Sequence, residues 1–403
     1  MNQPAKNQPL AGVRVLDLTR LLPGPFATCL LADLGADVLK VEDPLQGDYL
    51  RLIPPLVTDT NAAFLVLNRN KRGLTLDLKT AAGREVFLKL LATYDVLVDG
   101  FRPDVLPALG LDEKTLREHA PGLIHATLSG YAAGTDRAQR AGHDLNYQAL
   151  GGTLSLCGMP DCALAMPGLP IADLAGALYF ANAVLAAIIR RERSGEGARV
   201  EVPLADIPVA LSAYFLAEYG QSELEPAPCN LMLNGRYVCY RLYRTADDRW
   251  MSLAALEPKF WAAFCAAVDK PHLIAEAYAP ADGDHPVKRE LDELFAAKTQ
   301  AAWVELLREH DCCCEPVRSL AEAARDPYFH ERGAIAVRNH PGEGEILETK
   351  PPIRFDDGGN EREIRPAPAR GEHTDQVLLA LGCSAEEVAA WLRRGAFGKR
   401  EIT

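Results

Sequence analysis

Short apolar runs alternate with amphipathic stretches through the first half of the chain. "VRVLDL" reads as a strand, "GPFATCLLADLG" as a helix with Pro25 near its first turn and Gly35 at its end, and "ADVLKVE" as a second strand. Together they predict a βαβ unit. The rhythm continues with a helix around "AAGREVFLKLLATY", a strand "DVLVDG", a helix around "DEKTLREHA" and a strand "LIHATLSG". Such alternation predicts an α/β fold built on a parallel, doubly wound sheet. After Asp173, "LAGALYFANAVLAAIIRRERSGEG" predicts a mostly apolar helix, with arginines in its last turn and Gly195 as its stop. Asn182 interrupts the apolar run from Leu174 to Ile189, so the helix is expected in a core, buried along most of its length, and not in a membrane.

The pattern changes beyond "QSELEPAPC". "RYVCYRLYRT" and "RWMSLAAL" flank Asp247 and Asp248 as the arms of a hairpin, and helices are expected from Pro258 to about His310. This predicts a second, smaller α+β domain. From about residue 331, strand-like pieces and the loop "EIRPAPARGEH" lead to a final helix. The expected boundaries are 1–200 for a large domain, 201–225 for a linker, 226–325 for the small domain and 326–403 for a C-terminal segment.

With 403 residues, 48% of them apolar, the chain can bury a large core in two domains. Its net charge of −12 argues against non-specific nucleic-acid binding, so any anionic ligand must be met by a local basic pocket. Cys312, Cys313 and Cys314 are adjacent and lack the gaps of a zinc site, so no metal is expected. The other cysteines are scattered, and "MNQPAKNQPLAG" has no apolar segment of the kind a signal peptide needs. The expectation is a cytoplasmic protein with reduced thiols. No G-x-G-x-x-G follows the first strand, where "LLPGPFATCLLADLG" stands instead, and no Walker A motif occurs. Basic residues do cluster in "NRNKRG" and again in "GFRPD", either as a phosphate site or as solvated turns.

Three places carry candidate proton chemistry. His143 and Asp144 stand side by side in "AGHDLNYQALGG", Asp173 follows in "PIADLAG", and Glu257 lies in "ALEPKFW". A histidine beside an acid is suited to moving protons near neutral pH. Each residue also has a local explanation: Asp173 and Asp144 as caps of the helices that follow them, His143 as a structural histidine, and Glu257 as a carboxylate at a helix start. The local pattern leaves both readings open.

Taken in order, "LAGVRVLDLTRLLPGPFATCLLADLGADVLKVEDP", "NRNKRGLTLDLK", "DVLVDGFRPDVLPALGL", "AGHDLNYQALGG", "IADLAG", "YRTADDRWMSLAALEPKFW" and "RPAPARGEHTD" resemble the family III (CaiB/BaiF-type) CoA transferases, most of all their α-methylacyl-CoA racemase branch. The resemblance implies a Rossmann-like large domain rejoined by the C-terminal segment, an interlocked homodimer, and an acyl-CoA thioester as substrate with no other cofactor. It implies CoA contacts at Lys40, Arg69, Lys71, Arg72, Phe101 and Arg102. In the racemase form, Asp173 and His143 are the acid/base pair, Glu257 positions His143, and Asp144 supports the thioester oxygen through its backbone amide. In the transferase form, Asp173 is instead a nucleophile that passes CoA to a free carboxylic acid. Asp43 stands where an arginine contacting a CoA phosphate is frequent, implying a changed grip on CoA.

Overall fold

The computed structural model describes residues 8–159, 164–222, 224–356 and 363–398. The chain divides into two compact units, the first formed by Met1–Leu150, Pro170–Pro208 and Tyr328–Thr403, the second by Gly151–Leu169 and Val209–Pro327. The stretch expected as a linker at 201–225 is mostly structured, with a strand ending at Pro203 and helices over Ile207–Leu211 and Ala213–Ser222. Its apolar residues follow a helical period, which the proline-rich residues after Glu225 obscure in the sequence.

In the first unit, strands β1 (Arg14–Asp17), β2 (Asp37–Glu42), β3 (Arg72–Thr75), β4 (Val96–Asp99), β5 (Ile124–Ser129) and β6 (Ala198–Pro203) form one parallel sheet in the order β3-β2-β1-β4-β5-β6. Successive residues of these strands enter opposite cores. Val15, Val38 and Val96 face one side, whereas Leu16, Leu39 and Leu97 face the other. Sheets buried on both faces need near-continuous apolar strands, and the sequence supplies them.

Helices α1 (Pro23–Asp33), α2 (Ala62–Leu67), α3 (Ala81–Leu91), α4 (Val105–Ala108), α5 (Glu113–His119), α6 (Asp144–Leu150) and α7 (Ile171–Ser194) connect or flank the strands. Helices α1 and α7 cover the valine face, and α3 covers the leucine face together with Val377, Leu378 and Trp391 of the C-terminal segment. Gly195 ends α7 in the left-handed region, φ 73°, as a glycine stop should. Burial of α7 is one-sided: Phe180, Val184 and Ile188 are packed in the core, while Leu178, Tyr179 and Ile189 are exposed. It is the one helix among the described residues long and apolar enough to cross a membrane, by length and composition only.

The second unit holds an antiparallel sheet whose strands β7 (Tyr240–Arg244) and β8 (Trp250–Ala254) turn at Asp247 and Asp248, with β9 (Cys314–Pro316) beside β8. Its core is aromatic: Tyr243 stacks on Phe295 at 4.4 Å between ring centres, and Trp261, Phe264 and Trp303 pack around them. A hairpin of β10 (Ile335–His340) and β11 (Gly344–Thr349) belongs to the first unit.

Candidate active site

The turn "AGHD" is built around one buried ring. Tyr147 donates its hydroxyl to the Gly142 carbonyl at 2.8 Å and meets Tyr131 edge-on. A Cβ on Gly142 would lie 2.7 Å from the Tyr147 ring, and one on Gly130 would lie 2.5 Å from its hydroxyl. Only glycine fits at either position. Helix α6 begins directly after this contact. The His143 carbonyl accepts the first backbone N–H groups, and the Asn146 side chain reaches back to the His143 N–H at 3.0 Å. His143 itself is exposed, and its imidazole has no hydrogen-bond partner among the described residues.

Asp144 caps a helix, but not its own. One carboxylate oxygen accepts from the backbone N–H groups of Ala172 (2.8 Å) and Asp173 (3.1 Å), and the other accepts from Gln148 Nε2 at 2.7 Å. Its side chain therefore closes the first turn of α7, whose own N-cap position is occupied by Pro170, a residue without a capping group. Asp173 is freed from the capping role its position suggested. Its half-buried carboxylate accepts no hydrogen bond among the described residues.

That arrangement sets the chemistry of Asp173. Burial, and after it the negative charge of Asp144, push its carboxyl up from the ordinary value to about 7. The Tyr147 phenol is pushed up to about 12, first by burial and then by the Asp173 carboxylate. A carboxyl that titrates near neutrality can both take and give a proton at cellular pH.

The expected CoA-binding cations are placed differently from one another. Lys40 is fully buried and bonds Asp48 and the Thr19 carbonyl, each at 2.9 Å. Lys71 is fully buried and bonds Asp17, Thr28 and Asn68 as well as the Pro25 carbonyl. Arg69 forks onto Asp33, and Arg72 onto Asp37. The "NRNKRG" cluster is thus neither a solvated turn nor an open cationic patch, because each of its cations already holds an internal carboxylate. Burial alone would raise the Asp17 carboxyl, but Lys71, Lys40 and the hydroxyls of Thr19 and Thr28 outweigh it and hold the group below its ordinary value. Phe101 is half-buried and Arg102 is exposed, both just after β4, and Arg102 has no ion-pair partner among the described residues.

Glu257 lies in the second unit, exposed, at the N-cap of a helix over Pro258–Ala267. Its side chain makes no capping hydrogen bond, but its carboxylate stands at the helix start, as the local explanation expects. Asp43 accepts from the backbone N–H groups of Leu45 and Gln46, and Lys79 lies 3.7 Å from it. Sequence reasoning passed over Arg20, which follows β1 and lies against the rings of Tyr49 and Phe101. The signal was a lone arginine at the carboxyl end of the first strand, immediately before the "LLPGP" turn. Among the described residues, no group of three or more histidine, cysteine, aspartate or glutamate side chains is placed to hold a metal ion.

Comparison with known proteins aligns nearly the whole chain. The model of CoA-transferase family III matches residues 10–374. The human succinyl-CoA:glutarate CoA-transferase is 31% identical over 379 residues, covering 92% of this chain and 85% of that protein. The human α-methylacyl-CoA racemase is 31% identical over 385 residues, covering 94% and 95%. A CaiB/BaiF family protein from Brucella suis superposes with a TM-score of 0.79 at 28% identity, covering 93% of this chain and all of that one. Relatives at the same distance thus carry two different activities.

Proposed function

This chain belongs to CoA-transferase family III, an acyl-CoA enzyme with that family's mixed α/β fold, and on that premise we propose that it racemises 2-methylacyl-CoA thioesters by 1,1-proton transfer. The observation that carries the proposal is the Asp173 carboxyl, pushed up to about 7 by burial and Asp144. One of the pair Asp173 and His143 removes the α-proton. The C–H electron pair moves into the thioester to give an enolate, and the other residue returns a proton to the opposite face. A group that must be a base for one enantiomer and an acid for the other works best with a pKa near the working pH. His143 suits the partner role because its ring is exposed and unengaged, while its backbone is fixed at the start of α6. The backbone N–H of Asp144, in the first turn of α6, is the donor offered to the enolate oxygen. Glu257 enters this reading through the resemblance alone.

A second reading is favoured by the unbonded state of the Asp173 carboxylate and by transferase relatives as similar as the racemase. There Asp173 attacks the thioester carbonyl, the C–S bond breaks to release CoA thiolate, and an acyl-aspartyl anhydride forms. The thiolate attacks the aspartyl carbonyl of the anhydride, releasing the donor acid as its carboxylate and leaving an aspartyl-CoA thioester. A free carboxylate attacks that thioester to give a new anhydride and thiolate, and thiolate attack on the new acyl carbonyl yields the product acyl-CoA and regenerates the Asp173 carboxylate. In either reading the protein is a homodimer, for which the open apolar face of α7 at Leu178, Tyr179 and Ile189 offers a surface, and it works in the cytoplasm.

One experiment separates the two. The protein is incubated in D2O with a 2-methylacyl-CoA and a labelled free acid, and the thioester is followed by mass spectrometry. Deuterium at the α-carbon, lost in His143→Ala, is expected. Label entering the thioester pool without α-deuteration would overturn racemisation and make Asp173 the nucleophile.

A further inference from the structure

Beside the His143 ring, the start of α6 leaves one polar side chain with a free end. Both backbone groups of His143 are engaged: its carbonyl accepts from the N–H groups of Asn146 (2.8 Å) and Tyr147 (3.2 Å), and its own N–H donates to Asn146 Oδ1 at 3.0 Å. The preceding carbonyl, that of Gly142, is taken by the Tyr147 hydroxyl. The Asp144 carboxylate is occupied by the N–H groups of Ala172 and Asp173 and by Gln148. Asn146 remains. It is exposed, and its Nδ2 has no hydrogen-bond partner among the described residues.

The contact with His143 fixes which way that amide faces. A carboxamide has an acceptor end and a donor end, and a backbone N–H can be met only by the first. With Oδ1 turned back onto the His143 N–H, the NH2 group is turned away from it. Exchanging the two ends would break that bond and set two donors against each other. The free donor is therefore held in one orientation before any ligand arrives.

The residue type is informative as well. Asn146 is the third residue of α6, where a side chain reaching back to the N–H before the helix is an ordinary brace, most often supplied by glutamate or glutamine. A carboxylate would brace the turn equally well and would also suit the positive end of a helix. The brace alone does not call for an amide. An amide is called for where the far end must donate, and where a further negative charge would oppose the chemistry.

We propose that the Asn146 NH2 group is a second donor to the oxygen of the thioester as it becomes an enolate, beside the Asp144 backbone N–H. The inference rests on the racemase reading and adds a catalytic residue to it. As the α-proton leaves, charge gathers on that oxygen, and donors oriented beforehand stabilise it without reorganising. Asn146 donates a hydrogen bond and passes no proton, so His143 and Asp173 remain the acid/base pair. Tyr147 and Gln148 are positioning residues behind it.

The test uses the full-length protein and two thioesters. Racemisation of a 2-methylacyl-CoA is followed as α-deuteration in D2O. The second thioester, 2,2-dimethylpropanoyl-CoA labelled with 13C at its carbonyl, has no α-proton, and the infrared stretch of its bound carbonyl reports donors to the oxygen without any proton transfer. Asn146→Asp keeps the brace on His143 and loses the NH2 group, Asn146→Ala loses both without adding charge, and Asn146→Gln keeps both ends on a longer chain. Asn146→Asp and Asn146→Ala are each expected to lower kcat for deuteration by about 10²-fold, with KM changed far less, and to move the carbonyl stretch to higher frequency than in wild type. Asn146→Gln should recover part of both, and Asn146→Asp should unfold at the wild-type midpoint in urea, so that its loss is not one of folding. Wild-type kcat in Asn146→Asp, or one carbonyl stretch shared by wild type and both variants, would overturn the inference and make Asn146 a brace only. Wild type that leaves the α-carbon undeuterated would overturn the racemase reading instead. The infrared comparison needs only a bound thioester, so it decides the donor in that case too.

Discussion

Two groups of charge in the first unit are treated in opposite ways. Under the loop after β1, Asp17, Lys40, Asp48 and Lys71 are all fully buried, and each holds an opposite charge. At the junction of α6 and α7, Asp173 is half-buried with another carboxylate, Asp144, as its charged neighbour. Desolvation is unfavourable for both groups. The first offsets it with ion pairs and gains a fixed backbone. The second does not offset it and gains a carboxyl titrating near pH 7. A site needs both kinds, because a loop must be held by saturated charges, while a group that moves protons must be left unsaturated.

The sharpest test of this contrast removes the unsaturated acid. Asp173→Asn is expected to lower the rate of α-proton exchange by about 10²–10⁴-fold, and at the same time to make the protein more stable. The folded carboxyl, raised to about 7 from an ordinary 3.8, keeps a proton that the unfolded one releases, so stability falls as pH rises through that window and is level above it. Removing the group should therefore raise stability by on the order of 1–2 kcal/mol at about pH 8 and leave it unchanged at about pH 3, read by urea unfolding at both values. Loss of stability at the higher pH would make Asp173 an ordinary structural acid.

At the saturated group the sign reverses. Lys71→Met leaves Asp17 buried with one of its two neighbouring cations gone and is expected to cost about 3–5 kcal/mol, lowering the denaturant midpoint across the neutral range. Adding Asp17→Asn should restore part of the loss. If Lys71→Met costs under about 1 kcal/mol, the buried pair is not what sustains the loop.

A smaller effect is expected from packing. Gly142→Ala places a methyl group 2.7 Å from the Tyr147 ring that supports the start of α6. About 1–3 kcal/mol of destabilisation should follow in thermal unfolding. A neutral result would mean that the ring shifts freely and that the position of Asp144 does not depend on it.

The contrast explains what could be read from the chain alone. The strands at the centre of the parallel sheet were legible, because residues such as Val15 and Leu16 enter cores on both faces and leave a continuous apolar run. The hairpin at Asp247 and Asp248 was legible from its polar turn between two apolar arms. What could not be read was the partner of each charge. "NRNKRG" gathers Arg69, Lys71 and Arg72 in one loop, yet Lys71 meets Asp17 from 54 residues away and Arg69 meets Asp33 from 36. Exposed Arg20, alone after its strand, gave no cluster to notice. The helix capped by Asp144 was hidden for the same reason: a local pattern offers it as a cap for the helix that follows it, whereas the helix it caps begins far along the chain at Ile171. Proton chemistry at Asp173 was suggested by resemblance, but the physical cause of its raised pKa lies in burial and that tertiary contact.

Asp144→Asn measures that cause with the least disturbance. The asparagine oxygen can still accept from the N–H groups of Ala172 and Asp173, and the Gln148 amide can turn its oxygen toward the new NH2 group, so the cap survives while the charge is removed. The carboxyl of Asp173 should then titrate lower, since burial remains but the repulsion from Asp144 is gone. The limb of the pH–rate profile assigned to Asp173 should move to lower pH by on the order of one unit, with the plateau rate changed little. Asp144→Ala removes cap and charge together and should cost a further 0.5–2 kcal/mol, roughly, in unfolding relative to the asparagine variant. If the limb stays in place in Asp144→Asn, burial alone raises Asp173 and Asp144 serves only as a cap. If the two variants unfold alike, the cap is not what orders the first turn of α7, and the unsaturated acid is held by packing instead.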